Sequence, residues 1–296
     1  MKVSLCVDPG RSWPQVLALA QRAESAGWHA VYVCDHFMPH DPAGRAVDGP
    51  MLECWTVLAA LAAQTATVGL GSLVLGNTYR HPAVVANMAA TLDQVSQGRL
   101  VLGVGAGWQP NEHAAYGIAL PPLRDRVAAL DEACAVIRSL LDKRRSTMDG
   151  AAYRLADAPC DPKPVSRAPL LVAGAGMGIM TVAARRADVW HAWAGPAEFA
   201  AKNAVLDGLC RDIGRQPSDL ARASGATVTV VLGPGGGHQV GEDDVYGTPE
   251  QVLSQLREFA DAGADEFIVS DDAHIPVRQA LHQIDMLTQA VVPGLT

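Results

Sequence analysis

The chain has 296 residues, of which 49% are hydrophobic and 18% are charged, a composition typical of a compact globular protein. Its formal net charge of −8 argues against a nucleic-acid partner, because such a protein needs a basic face that displaces counterions. The same charge argues against a polybasic membrane surface, and the longest apolar run, residues 57–63, is too short to span a bilayer.

The N-terminus and the cysteines indicate a reducing compartment. Met1 and Lys2 lead directly into a strand-like run, without the pattern of a signal peptide. The six cysteines stand singly, with no Cys-x-x-Cys pair. We therefore expect a cytoplasmic protein with free thiols.

Eight short β-branched runs alternate with longer segments of helical spacing. The predicted strands are Val3–Val7, Ala30–Cys34, Thr67–Val74, Leu100–Gly105, Leu170–Ala173, Val189–Trp193, Ala226–Leu232 and Glu266–Ser270. Eight βα units with right-handed crossovers close into a barrel, so we predict one (β/α)8 TIM-barrel domain over residues 1–296. An open doubly wound sheet is the alternative, but it usually has fewer strands and a switch point that we cannot locate here.

Local signals support the helices between these strands. In the third helix Val84, Met88, Leu92 and Val95 recur at helical spacing and share one face. The seventh helix begins with a capping box at residues 248–251.

An internal repeat supports the βα units as well. Ala26-Gly27 and Ala262-Gly263 are each followed, eight residues after the glycine, by an acid at the end of a strand, Asp35 and Asp271. In both places a helix is predicted to end on the glycine.

Three long connections depart from the plain barrel. Residues 36–50 follow strand two and residues 233–247 follow strand seven, both on the catalytic face, and the glycine-rich second segment suggests a lid. Residues 142–169 precede strand five, where 150–155 would form a small strand pair.

Candidate functional residues are sought at the carboxyl ends of the strands, which carry the active sites of TIM barrels. Asp35 and His36 form the strongest polar pair, since an acid can hydrogen-bond a heterocycle and a histidine can exchange a proton near neutral pH. The alternative is a helix cap for Asp35 and a surface position for His36. Lysine is absent from the strand ends, and the first strand offers only Asp8, so we expect neither a Schiff base nor a metal.

Two glycine clusters follow strands four and five. Bare amides of Gly174, Ala175, Gly176 and Met177 at the start of a helix favour a phosphate, although a tight turn alone would explain two of the glycines. Residues 103–107 either pack strands closely or leave space for a flat ring, which Ala106 and Gly107 would then border. His40 and Trp108 are either walls of a substrate pocket or packing residues under a loop.

An ordered set of segments resembles the bacterial luciferase-like monooxygenase superfamily. It comprises residues 33–37, 72–75, 80–82, 103–108, 162–164, 174–176 and 247–250, and it covers nearly the whole chain. Within the superfamily the sequence is most similar to the branch that uses the deazaflavin coenzyme F420 and exchanges a hydride with its ring.

The resemblance implies specific roles. Asp35 would contact the deazaflavin, residues 174–177 would hold its phosphate, and Ser72-Leu73 would lie behind the ring, with a non-proline cis peptide between them. His36 matches an active-site histidine and is the candidate proton donor or acceptor. Trp108 stands where the sugar-phosphate dehydrogenases of this branch carry a glutamate, which makes glucose 6-phosphate a poor candidate substrate.

The resemblance leads us to expect hydride transfer between F420 and a small organic substrate, catalysed by a homodimer. One alternative is an FMN-dependent monooxygenase supplied by a separate reductase, because both cofactors share a tricyclic ring and a ribityl phosphate. The other is a non-catalytic flavin-binding protein, whose substrate face should be plugged by apolar side chains.

Overall fold

Eight parallel strands form the core of the molecule, for which a computed structural model describes residues 1–39, 45–231 and 244–295. We number them in chain order as β1 (Lys2–Val7), β2 (Ala30–Val33), β3 (Gly69–Ser72), β4 (Leu100–Gly105), β5 (Leu170–Ala173), β6 (Val189–His191), β7 (Ala221–Val230) and β8 (Glu266–Ser270). Each strand hydrogen-bonds to the next along the chain, and β8 pairs with β1. The strands therefore close into the predicted barrel.

A helix follows each barrel strand and covers its outer face. These helices are α1 (Trp13–Ser25), α2 (Cys54–Gln64), α3 (Pro82–Ser96), α4 (Leu123–Asp142), α5 (Met177–Arg186), α6 (Pro196–Asp212), α7 (Pro249–Asp261) and α8 (Val277–Ala290). The large apolar core lies between the strands and these helices. Within the ranges that the structure describes, no helix is long and apolar enough to cross a membrane.

Several short helices and strands lie outside these eight βα units. A short helix, Pro110–Ala115, precedes α4, and 3-10 turns occupy Pro217–Asp219 and Val292–Leu295. Strand Leu75–Gly76 pairs with β4, and strand Val245–Gly247 pairs with β7. A small antiparallel strand pair lies before β5, but its strands are Ser146–Asp149 and Arg154–Ala158, so most of the predicted segment 150–155 is the turn between them.

The inside of the barrel is filled by a second apolar cluster. It contains Cys6, Ala30, Tyr32, Leu73, Leu171, Ala223 and Ile268. Glycines make room for it: a Cβ at Gly71 would lie 2.5 Å from the ring of Tyr32, and one at Gly103 would lie 1.9 Å from the carbonyl oxygen of Ser72. The barrel is therefore a packed core, and the functional surface lies at its end.

The strand boundaries agree with the predictions in most places. β4, β5 and β8 have the predicted bounds. The predicted third strand, Thr67–Val74, is shortened to Gly69–Ser72, and β7 begins five residues earlier than predicted, at Ala221 rather than Ala226. The capping box of α7 is confirmed, with the side chain of Gln251 accepting from the backbone of Thr248. The predicted helix-ending glycines Gly27 and Gly263 both adopt positive φ, at 72° and 96°.

The predicted face of α3 points to solvent over most of its length. Val84 and Val95 are 53% and 51% exposed, and only Leu92 of the four residues is buried. The side of α3 that packs on the barrel carries smaller residues, among them Val85, Ala86, Ala89 and Ala90. The spacing correctly identified one face, but Val84 and Val95 on it point to solvent while Leu92 packs into the core.

Candidate active site

The predicted site residues converge at one end of the barrel. Asp35 and His36 follow β2, Ser72 ends β3, Ala106 and Gly107 follow β4, and residues 174–177 follow β5. Because all eight strands are parallel, these carboxyl ends share one face. Asp35 and Gly174 therefore lie on the same side of the molecule.

His36 is held by a buried carboxylate. Its Nδ1 lies 2.9 Å from Oε1 of Glu112, while Oε2 of Glu112 accepts from the backbone amides of Phe37 at 2.7 Å and Met38 at 3.2 Å. The hydroxyl of Tyr79 also donates to Glu112. This carboxylate places the His36 proton on Nδ1, so Nε2 is the nitrogen that can accept a proton from a substrate.

Glu112 remains ionised although its side chain is inaccessible to solvent. Burial alone would raise its pKa, but the hydrogen bonds from His36, Tyr79 and the backbone lower the pKa below the ordinary value. Burial and the neighbouring Glu112 raise the pKa of Tyr79, so its hydroxyl keeps its proton. The arrangement is a charged acceptor surrounded by hydrogen-bond donors.

The short helix Pro110–Ala115 brings Glu112 to this position. Gln109, directly before it, donates from Nε2 to the carbonyl of Met38 at 3.1 Å. His113 connects this short helix to the loop after β3. Its Nε2 lies 2.7 Å from the hydroxyl of Thr78, and its Nδ1 lies 2.6 Å from the carbonyl of Gln109. Glu112 is absent from the site residues predicted above, because 76 residues separate it from His36; an acid in a short helix after β4 is the signal that could have identified it.

Trp108 lies beside His36 and is 49% exposed. The two rings meet edge to face, with centroids 5.5 Å apart. Gly107 adopts a φ of +75°, and a Cβ there would lie 2.5 Å from the hydroxyl of Thr78, so glycine is required to present the indole in this way. Of the two predicted substrate-pocket residues, Trp108 is at the mouth of the barrel and His40 lies outside the described residues, as does most of the predicted lid, 233–247.

Asp35 is part of a buried ion-pair network. Its carboxylate accepts two hydrogen bonds from Arg80, at 2.7 and 3.0 Å, and one from the amide of Gly76 at 3.0 Å. Arg80 also donates to Glu53, the N-cap of α2. A carboxylate has about four acceptor positions, so the predicted contact with a cofactor would add to these bonds.

The end of β3 differs in one detail from the prediction. The non-proline cis peptide joins Leu73 and Val74, one residue after the predicted Ser72–Leu73 bond. The Ser72 hydroxyl donates to the Gly103 carbonyl at 2.8 Å and accepts from the Gly103 amide at 3.1 Å, so it bridges β3 to β4. Leu73 is 7% exposed and packs in the barrel interior.

The segment after β5 forms an uncapped helix start. Gly174 has a φ of +139°, and Gly176 is the N-cap of α5, where no side chain caps the helix. A Cβ at Gly176 would meet nothing within 4 Å, while Met177 is 59% exposed. Accessible amides at the positive end of a helix fit the phosphate of a ribityl phosphate cofactor.

His191 and Trp193 complete the mouth on the side of β6. His191 is 1% exposed, and its Nε2 has no hydrogen-bond partner among the residues that the structure describes. Burial lowers the pKa of His191 to about 3, so this imidazole is neutral. Trp193 is 49% exposed and meets His191 edge to face at 4.7 Å. Neither residue is among the site residues predicted from the sequence.

No metal site is built from the described side chains. Across residues 1–39, 45–231 and 244–295, no three histidine, cysteine or carboxylate side chains are grouped so that they could hold a metal ion. Cys34 directly precedes Asp35 in the sequence. Burial, Asp8 and Asp35 raise the pKa of its thiol to about 12, so it is not a thiolate nucleophile.

Comparisons with known proteins identify relatives of the whole barrel. The profile of the luciferase-like monooxygenase family matches residues 3–232. A protein of Intrasporangium calvum named F420-dependent glucose-6-phosphate dehydrogenase is 30% identical over 317 aligned positions, which cover 93% of this chain and 92% of the relative. A protein of Kineococcus radiotolerans with the same name is 39% identical over 170 residues, covering 57% of this chain and 49% of the relative. In that second alignment the match spans about half the relative's length.

A solved structure has the same fold along the whole chain. An F420-dependent secondary alcohol dehydrogenase, determined with an F420–acetone adduct, superposes with a TM-score of 0.84 at 22% identity. The superposition covers 100% of this chain and 99% of the other. At this identity the likeness concerns the fold.

Proposed function

This chain belongs to the luciferase-like monooxygenase family, and from that premise we propose that it is an oxidoreductase that exchanges a hydride between coenzyme F420 and a small organic substrate. One observation carries the proposal: the relative that aligns over 93% of this chain is named an F420-dependent dehydrogenase. The FMN-dependent monooxygenase and the non-catalytic flavin-binding protein are not favoured by these relatives.

The cofactor would be held mainly by backbone groups. The amides at the start of α5, from Gly176 onward, would bind the phosphate, since no side chain occupies this helix end. Gly107 and Ala106 would border the ring, and Leu73 and Val74 would lie behind it. Asp35 would keep Arg80 and the Gly76 amide in place beside the ring, and the predicted direct contact from Asp35 is part of this proposal.

The chemistry divides between the cofactor and the protein. When bound, F420 supplies a deazaflavin ring that accepts or gives a hydride. His36 takes the proton of a substrate hydroxyl on Nε2, or returns it in the opposite direction, and Glu112 keeps the imidazole in the tautomer and orientation that this requires. The indole of Trp108 meets His36 edge to face and would help to exclude water from the reacting atoms once substrate is bound.

The proposal is tested by titrating the purified protein with F420 and, separately, with FMN. Quenching of the fluorescence of its six tryptophans reports binding. We expect micromolar affinity for F420 and at least tenfold weaker affinity for FMN. Micromolar binding of FMN alone would overturn the choice of cofactor.

We also propose that the protein is a homodimer. The supporting observation is an apolar groove on the outer face of α2 and α3, which we call the α2–α3 patch and which is lined by Ala59, Val84, Met88 and Val95. Two copies of such a patch can bury each other around a two-fold axis.

A further inference from the structure

The loops at the mouth of the barrel carry a large excess of negative charge. The segments that join each barrel strand to the following helix contain, within the described ranges, eight carboxylates: Asp8, Asp35, Asp48, Glu53, Glu112, Asp244, Asp271 and Asp272. The same stretches contain three arginines, Arg11, Arg45 and Arg80, and no lysine. The sequence of 40–44 and 232–243 adds no lysine or arginine.

Two of these arginines are already neutralised. Arg11 binds both oxygens of Asp271, at 2.6 and 2.7 Å, and its side chain is 1% exposed. Arg80 binds Asp35 and Glu53. Burial keeps His191 neutral, so it adds no positive charge. A substrate phosphate would meet a net negative field at this mouth.

Three further cations, carried by the helices that follow β4 and β6, lie on the side proposed for the cofactor. Arg124 and Arg126 are in the first turn of α4, which lies beside the start of α5, where a Cβ at Gly178 would be 3.1 Å from Val127. Lys202 of α6 approaches the carbonyl of Ala175 at 3.4 Å. Arg126 donates to the carbonyls of Pro121 and Gly107, and Lys202 also pairs with Glu198, so both cations already have partners.

Two indoles provide the accessible surface instead. Trp108 follows β4 and Trp193 follows β6, and each is 49% exposed. Both strands pair with β5, so the two tryptophans begin two strand spacings apart, about 10 Å along the barrel wall. Gly225 makes room for Trp193, since a Cβ there would lie 2.6 Å from the indole. Trp108 borders the space next to His36, and Trp193 lies on the β6 side of the same mouth.

We propose that the substrate is an uncharged alcohol with a flat apolar group, or the corresponding carbonyl compound, and that this group stacks on Trp108 and Trp193. The proposal rests on the proposed function and narrows it to a substrate class different from the sugar phosphate in the relatives' names. In the oxidative direction the carbinol C–H bond breaks and its hydride passes to the deazaflavin, the O–H proton passes to Nε2 of His36, and the C=O bond forms. The alcohol loses two electrons and the deazaflavin gains them.

Binding to the F420-loaded protein is measured by calorimetry with acetophenone, glucose 6-phosphate and inorganic phosphate as probes. We expect acetophenone to bind at least tenfold more tightly than glucose 6-phosphate, and phosphate to show no saturable binding. Turnover of 1-phenylethanol, followed by the loss of F420 absorbance, should exceed that of glucose 6-phosphate by at least tenfold in kcat/KM.

Variants test whether Trp108 and Trp193 form the surface that binds acetophenone. Trp108→Ala and Trp193→Ala should each weaken acetophenone at least fivefold and leave the Kd for F420 within twofold, whereas Trp193→Phe should retain most of the affinity. Ile213→Ala is the matched control, because Ile213 is 48% exposed directly after α6, away from the mouth.

The outcomes separate the two proposals. Tighter binding of glucose 6-phosphate than of acetophenone, or unchanged acetophenone affinity in both alanine variants, overturns the substrate class and leaves the F420 assignment intact. Failure to bind F420 in the preceding titration overturns the proposed function and this inference with it.

Discussion

Glu112 controls the chemistry of His36 through its position and charge. A neutral amide at this position has one acceptor oxygen, so it can accept from His36 or from the amides of Phe37 and Met38, but not from both sets. The buried carboxylate satisfies both with its two oxygens. Glu112 is therefore a positioning residue for His36.

We predict that Glu112→Gln lowers kcat about 100-fold, the lower end of what general acid–base catalysis contributes. The KM for substrate and the Kd for F420 should change less than threefold, because neither ligand is expected to touch Glu112. Steady-state kinetics with a fluorescence titration measure both. Tyr79→Phe is the control, since it removes one donor and keeps the contact between Glu112 and His36; equal losses in the two variants would contradict the role given to Glu112.

His191 links stability to pH. The pKa of this buried imidazole is about 3, below its ordinary value of 6.5. As the pH falls below 6.5 the unfolded chain binds a proton that the folded chain does not, so stability is lost progressively down to the folded pKa. Between pH 6.5 and pH 5.0 the loss amounts to about 2 kcal/mol.

We predict that His191→Phe reduces this acid sensitivity. A phenyl ring preserves the contact with Trp193, removes the orphaned nitrogen and cannot be protonated. The fall in Tm between pH 7.5 and pH 5.0 should therefore be several degrees smaller in the variant, as measured by differential scanning fluorimetry. His282→Phe, at an exposed position, should leave the fall unchanged. The same pH dependence in His191→Phe and the native chain would rule out His191 as the cause.

At the scale of elements, the start of α5 offers a substitution that should weaken cofactor binding without lowering the stability of the fold. Gly176 is an N-cap without a side chain, in open space and with an ordinary φ of −76°. Aspartate is a favourable N-cap, so Gly176→Asp should leave the Tm unchanged or raise it. Its carboxylate would compete with the cofactor phosphate for the same amides.

We predict that Gly176→Asp weakens F420 binding at least tenfold without lowering the Tm. Gly208→Asp in α6 is the control, because a Cβ there also meets nothing within 4 Å and the added charge is the same. Fluorescence titration and thermal unfolding give the two readouts. Unchanged F420 affinity in Gly176→Asp would mean that the phosphate is bound elsewhere.

Elements governed by local sequence were predictable, and those governed by packing were less so. The capping box at Thr248 and the helix-ending glycines act within a few residues, and the structure confirms them. β7 begins five residues earlier than predicted because Ala221, Arg222 and Ala223 pair with β6, a tertiary contact that β-propensity does not reveal. On α3, the four predicted residues share one face, but periodicity identifies a face without saying what covers it, and Val84 and Val95 on that face are exposed.

The candidate site was predictable only in part for the same reason. Strand ends could be located from the pattern, which placed Asp35, His36 and Trp108 on one face. The contact between Glu112 and His36 could not be found in this way, because it joins the loops after β2 and β4 across the mouth of the barrel. The cis bond after Leu73 lies one residue from the predicted position, where no local sequence signal fixes the register.

At the scale of the whole molecule, the α2–α3 patch needs an explanation. Val84 and Val95 are more than half exposed, and Met88 lies between them on the same helix face, above buried Trp55 and Leu92. A contiguous apolar surface of this kind on a globular protein usually marks an interface. Since its location is on the outer helices, a dimer formed there would leave the mouth of the barrel open to substrate.

We predict that the native chain is a dimer and that Val84→Glu combined with Met88→Glu makes it a monomer. Light scattering after size exclusion should give twice the 31.1 kDa chain mass for the native protein and 31.1 kDa for the variant. Both residues lie on the outer face of α3, so the barrel and its F420 affinity should be preserved, which the fluorescence titration checks. Val205→Glu, at a 41% exposed position on α6, should remain dimeric. A monomeric native protein, or a dimeric double variant, would show that the α2–α3 patch does not join two copies of this chain.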